Sequence, residues 1–61
     1  MKIKKFDVVE LKNKNKAVIL EIYKRKKYYA EIVNERGETV TKRDIINNEI
    51  KNVIYGKEKI R

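Results

Sequence analysis

Short apolar segments alternate with short polar segments along this chain, and the first two apolar segments, at residues 6–12 and 17–23, are too short for independent helices. The apolar segments are rich in Val, Ile, Leu and Tyr, most of which favour strands. Their positions predict four strands, at residues 6–12, 17–23, 28–34 and 38–43. In the last of these, Val40 is expected to point inward. The linking segments are short and contain no proline, which indicates a compact meander.

Residues suited to tight turns lie between the predicted strands. Asn13 and Asn15 fall between the first two strands, and asparagine tolerates the left-handed region of backbone conformation. Gly37 ends the sequence Asn-Glu-Arg-Gly before the fourth strand. Glycine can close a type I turn with a bulge because it adopts positive φ without steric cost. Both segments are therefore predicted to form hairpin turns.

The third predicted strand has two distinct faces. Successive side chains of a strand point to opposite sides of the sheet. Tyr28, Ala30 and Ile32 therefore share one face, and Tyr29 shares the other with Glu31. Because Glu31 favours solvent, we expect Tyr28 in the core and Tyr29 on the outer surface.

The last third of the chain admits two interpretations. The spacing i, i+4, i+7 and i+8 is shared by Ile46, Ile50, Val53 and Ile54. This spacing is compatible with a C-terminal helix that begins at Asp44 and ends at Gly56. Adjacent asparagines and β-branched residues are poor helix formers. A single 3₁₀ turn over residues 44–49, followed by a short fifth strand at 52–55, is therefore favoured.

Five short strands in sequence order, with a helical turn before the last, resemble small bacterial SH3-like proteins related to KOW-type domains. The resemblance covers residues 6–55. It depends on the segments DVVEL, AVILEI and YAEIVN, on a turn around Gly37 and on the closing DIINNEI segment. The chain differs from the family pattern at two positions of Gly, which are replaced by Phe6 and by a residue within the segment 13–16.

The resemblance implies an all-β fold, a five-stranded SH3-like barrel, and a binding module. The length permits one domain, so residues 1–61 are expected to form a single domain. Within it, the barrel would occupy residues 6–55 and a basic flexible tail residues 57–61.

The charge of the chain favours polyanionic partners. Seventeen Lys and Arg residues against nine Asp and Glu residues give a net charge of +8. A small domain this basic is predisposed to bind polyanions such as DNA or RNA.

Catalytic chemistry has no support in the sequence. The chain contains no Cys or His, its acidic residues are dispersed, and it has no glycine-rich phosphate-binding loop. We therefore predict no enzymatic activity, no metal and no cofactor. Acidic residues interrupt any signal-peptide core near the N-terminus, and no apolar run has the length of a membrane span. A cytoplasmic protein is expected.

Basic residues from three segments are predicted to converge at one end of the sheet. In a meander, the start of the first strand, the turn between the second and third, and the end of the fourth lie together. The middle segment reads YKRKKYY at residues 23–29. The candidate nucleic-acid contacts are Lys4, Lys5, Lys24, Arg25, Lys26, Lys27, Lys42 and Arg43. Tyr29 is the candidate for stacking on an unpaired base.

Two alternatives remain for this cluster. A block of like charges is often only a solvated turn. The same cations would also suit an acidic protein surface, in which case the chain would be a protein-interaction module that uses its surface or a strand edge.

Overall fold

The computed structural model describes residues 2–55 and contains five strands and one 3₁₀ turn. The strands are β1 (Val8–Leu11), β2 (Lys16–Lys24), β3 (Lys27–Val33), β4 (Thr39–Ile46) and β5 (Ile50–Tyr55), and the 3₁₀ turn is Asn47–Glu49. The predicted all-β class is confirmed, and the alternative of a C-terminal helix is wrong. The expected tail at 57–61 lies outside the described residues. No helix in the described part of the chain is long and apolar enough to cross a membrane.

The strands form one antiparallel sheet in the order β4-β3-β2-β1-β5. Its inner face carries the buried core, which comprises Val9, Leu11, Ala17, Ile19, Tyr28, Ala30, Ile32, Ile45 and Ile50. Tyr28 is buried and Tyr29 is half-buried on the outer face, so both predictions for the third strand are confirmed. The alternation of strand side chains is sufficient to explain this result.

The prediction that Val40 points inward is wrong, because this side chain is 58% exposed. Ile32 pairs with Thr41 and Val33 pairs with Thr39, so Val40 is an extra residue at a register shift. Such a bulge reverses the direction of the side chains that follow. The core residue of β4 is instead Ile45.

The turn between β3 and β4 is the hairpin turn expected from Gly37. The N–H of Asn34 donates to the carbonyl of Glu38 at 2.9 Å, and the N–H of Gly37 donates to the carbonyl of Asn34 at 3.0 Å. Gly37 has φ of 85°. The prediction of positive φ at this glycine is therefore confirmed.

The turn between β1 and β2 has the same pattern of hydrogen bonds. The N–H of Leu11 donates to the carbonyl of Asn15 at 2.8 Å, and that of Lys14 to the carbonyl of Leu11 at 3.0 Å. The predicted turn is therefore confirmed, and its left-handed residue is Lys14, with φ of 77°, rather than one of the asparagines. Asn13 contributes through its side chain, whose Oδ1 accepts the N–H of Asn15 at 3.0 Å.

A tight turn attaches the N-terminal segment to β2. The N–H of Asp7 donates to the carbonyl of Lys4 at 3.1 Å, and Phe6 has φ of 71° at the third position of this turn. The buried carboxylate of Asp7 accepts the N–H of Lys4 at 2.9 Å. Backbone hydrogen bonds join Phe6 and Asp7 to Ile19. These bonds hold the basic N-terminal segment beside β2.

The link between the last two strands requires a curved sheet. β4 ends at Ile46 and β5 begins at Ile50, yet these strands lie on opposite edges of the sheet. Four residues of extended chain span at most about 14 Å. The edges of a flat five-stranded sheet would lie about 19 Å apart. The two edges must therefore approach each other at the 3₁₀ turn.

Candidate nucleic-acid interface

The structure brings the N-terminal segment, the β2–β3 turn and the end of β4 to one end of the sheet. Lys24 pairs with Lys27 at the close of the β2–β3 hairpin, and Lys27 pairs with Ile46 at the end of β4. The N-terminal segment reaches the same place, where Lys2 shares a groove with Arg25. The N-terminal segment and the β2–β3 turn therefore lie together as predicted. β4 continues to Ile46, however, so Lys42 and Arg43 lie in the middle of this strand, opposite Glu31 and Ala30, and not at its end as expected.

The β2–β3 turn is fixed to the 3₁₀ turn rather than extended into solvent. The N–H of Asn47 donates to the carbonyl of Lys26 at 2.8 Å. The Tyr28 hydroxyl lies 3.1 Å from the carbonyl oxygen of Arg25 and 3.2 Å from Oδ1 of Asn47, and either oxygen can accept a hydrogen bond from it. Burial raises the pKa of Tyr28, so its hydroxyl stays protonated at neutral pH. The backbone of the basic turn is held in place while its cations point outward.

An open groove of about 640 Å³ lies between this turn and the N-terminal segment. Three cations, two apolar side chains and two polar side chains line it, namely Lys2, Arg25, Lys26, Ile3, Ile22, Tyr28 and Asn47. None of these residues is acidic. The groove therefore combines positive charge with an apolar surface, which suits an anion that carries an apolar portion.

The acidic side chains at this end already have partners. Within residues 2–55, three ion pairs are present: Lys5–Glu21 at 3.3 Å, Lys27–Asp44 at 3.9 Å and Arg43–Glu49 at 2.9 Å. Lys24, Arg25 and Lys26 are exposed, and within residues 2–55 they form no ion pair. The positive charge of the turn is therefore not neutralised by the described part of the protein.

Arg43 has a structural role that the sequence did not reveal. Its guanidinium donates from Nη2 to Oε1 of Glu49 at 2.9 Å and from Nη1 to the carbonyl of Asp44 at 3.0 Å. Oε2 of Glu49 accepts the N–H of Ile46 at 3.1 Å. The hydrogen bond from Arg43 lowers the pKa of Glu49, although partial burial opposes this shift. Arg43 thus attaches the 3₁₀ turn to β4 and is already occupied by protein acceptors.

Tyr29 lies on the outer face with an acidic residue on each side. It pairs with Glu21 of β2 and with Asp44 of β4, so the three side chains form a row across the sheet. In the next row, Lys42 lies opposite Glu31. Glu21 and Asp44 form ion pairs with Lys5 and Lys27, so the outer face carries less net positive charge than the β2–β3 turn and is a less favourable anion site.

Tyr23 is the most exposed aromatic side chain described, at 52%. The ammonium of Lys27 lies 5.9 Å from the centre of its ring. Desolvation raises the pKa of Tyr23, and the nearby Asp44 carboxylate raises it further. A cation over this ring competes with stacking by a base.

Sequence reasoning missed the groove residues Ile22 and Asn47, and it did not include Lys2 among the candidate contacts. The segment YKRKKYY indicated the turn itself, but no local pattern brings the N-terminal segment or the 3₁₀ turn to it. Among residues 2–55, no three acidic side chains are grouped to hold a metal ion.

Comparison of the chain with protein-family models, curated proteins and solved structures finds no match.

Proposed function

We propose that this chain is a small SH3-like β-barrel that binds nucleic acid through the phosphate backbone, without sequence preference. The observation that carries the proposal is the uncompensated charge of Lys24, Arg25 and Lys26 on a turn whose backbone is fixed. The acidic neighbours of this turn are already paired with other cations. A polyanion is the ligand that such a surface attracts.

Two features support the barrel. The short link from Ile46 to Ile50 draws the two edges of the sheet together. In addition, the chain has positive φ at Phe6 and at Lys14. Phe6 stands where the family pattern has Gly, and Lys14 lies within the segment that replaces its other Gly. Both positions therefore keep a conformation that glycine adopts without strain.

Binding would follow from counterion release. Each phosphate neutralised by Lys or Arg frees condensed counterions, and this gain depends on salt. The Lys ammonium is a point charge that does not distinguish one base from another. The described chain also has no helix that could enter the major groove to contact bases. The same contacts are therefore available on any sequence, and the expected partner is the DNA or RNA backbone.

The test is a fluorescence-anisotropy titration with random-sequence single- and double-stranded DNA and RNA at two salt concentrations. The variant Lys24/Arg25/Lys26→Ala should weaken binding at least about tenfold, the effect of losing several phosphate contacts. The matched control, Lys14/Lys16/Arg36→Ala, removes the same charge from exposed residues at the opposite end of the sheet and should have a much smaller effect.

Three outcomes would contradict the proposal. Equal losses in both variants would show that only net charge matters and that the turn is not a site. Absence of binding to every probe at low salt would remove nucleic acid as the partner. A stoichiometric protein partner that stays bound after nuclease treatment would identify an acidic protein surface instead.

A further inference from the structure

The groove beside the β2–β3 turn has chemistry beyond phosphate binding. Its cations, Lys2, Arg25 and Lys26, surround an apolar surface formed by Ile3 and Ile22. Ile22 is 39% exposed although it lies opposite the buried Tyr28. Phosphates alone would gain nothing from this apolar surface, because ionised oxygens prefer water or cations.

One end of the groove offers hydrogen-bonding groups. Oδ1 of Asn47 lies beside the Tyr28 hydroxyl, and the Asn47 Nδ2 group has no hydrogen-bond partner among residues 2–55. An amide NH₂ group can donate to the carbonyl oxygens and ring nitrogens on the edge of a base. The backbone N–H of Asn47 donates to the carbonyl of Lys26, and this hydrogen bond fixes the position of Asn47 beside the groove.

We propose that the groove receives one unstacked base of a single-stranded nucleic acid, while Lys2, Arg25 and Lys26 contact the phosphates on either side. This inference rests on the proposed function and specifies its substrate. The groove is open and has a volume of about 640 Å³, so its size admits a base. A duplex keeps its bases stacked and paired, so only an unpaired strand can place a base in the groove.

The tyrosines of the outer face are poorer sites for a base. Tyr29 has Glu21 and Asp44 on either side, and phosphates attached to a base stacked there would meet two ion pairs rather than unpaired cations. Tyr23 has the ammonium of Lys27 near its ring. The groove has no acidic residue in its lining and therefore accommodates both the base and its phosphates.

The experiment compares three probes of equal length by fluorescence anisotropy: oligothymidylate, an abasic strand with the same phosphates, and a duplex. The oligothymidylate should bind at least about tenfold more tightly than the abasic strand, as expected for one base contact. It should also bind more tightly than the duplex. Ile22→Ala should weaken binding of oligothymidylate several-fold and leave the abasic strand unaffected.

The control variant is Ile46→Ala, which makes the same change at a side chain that is 48% exposed and outside the groove lining. It should leave binding of all three probes unchanged. Thermal unfolding of both variants confirms that they are folded. An NMR titration of the unmodified protein gives a second measurement, because the methyl groups of Ile3 and Ile22 should shift with oligothymidylate and not with the abasic strand.

The possible results separate the two proposals. Equal affinity for oligothymidylate and the abasic strand would overturn the base site and leave phosphate binding intact. A base preference that survives Ile22→Ala, without shifts at Ile3 and Ile22, would also overturn the groove as its location. Failure to bind any probe would overturn both the base site and the proposed function.

Discussion

Lys14 and Gly37 occupy the same position in two hairpin turns that have the same backbone hydrogen bonds. Their φ angles are 77° and 85°. In each turn, this residue donates its N–H to the carbonyl three residues earlier, at 3.0 Å. A left-handed conformation costs an L-residue roughly 1–2 kcal/mol, whereas glycine adopts it freely. The first turn therefore stores strain that the second avoids.

Exchange of residue type at these two positions should have opposite effects. Lys14→Gly should stabilise the protein by about 0.5–1 kcal/mol, since relief of strain exceeds the added entropy of the unfolded chain. Gly37→Ala should destabilise it by about 1 kcal/mol. No atom lies within 4 Å of a Cβ at Gly37, so the cost would be conformational rather than steric. Urea unfolding curves measure both changes, and Lys12→Gly is the control outside the left-handed position.

Local patterns in the sequence predicted the number and order of the strands, the faces of β3 and the turn at Gly37, because these depend on neighbours within a few residues. They placed the end of the fourth strand at residue 43 and the 3₁₀ turn at 44–49, whereas β4 continues to Ile46 and the 3₁₀ turn is Asn47–Glu49. They did not predict the direction of Val40, which follows from a register shift against β3. The partnership of Arg43 with Glu49 was also missed, because it depends on how the chain bends after β4. The candidate cations could be named from the sequence, but which of them are neutralised depends on tertiary pairing.

The Arg43–Glu49 pair should contribute to stability. Glu49→Gln would weaken the hydrogen bonds to the guanidinium and to the N–H of Ile46. Both partners are more than a third exposed, so solvent screening limits the loss to about 1 kcal/mol. Chemical denaturation measures it. Glu35→Gln, which removes the same charge from an exposed residue of the β3–β4 turn, should change stability much less.

The same pair predicts a dependence of stability on pH. Folding lowers the pKa of Glu49 below its ordinary value of 4.5, so the folded state favours the ionised form. This contribution is complete above the unfolded pKa and is lost as pH falls through the folded pKa. Acidification below about pH 4.5 should therefore destabilise the unmodified protein more than Glu49→Gln. The free energies of unfolding of the two proteins should converge at low pH, and a constant difference across the acid range would contradict this assignment.

Substitution of Lys26 should weaken nucleic-acid binding, whereas substitution of Arg43 should lower the stability of the fold. Lys26 forms no ion pair within the described residues, whereas Arg43 is held by Glu49 and by the carbonyl of Asp44. With about four phosphate contacts on duplex DNA, the slope of log affinity against log salt should be about −4. Lys26→Ala should reduce its magnitude by about one and leave the midpoint of thermal unfolding unchanged. Arg43→Ala should instead lower stability by about 1–2 kcal/mol and leave the salt slope nearly unchanged. If Arg43→Ala reduces the slope as much as Lys26→Ala while both proteins remain folded, the paired guanidinium contacts phosphate and the uncompensated turn is only part of the interface.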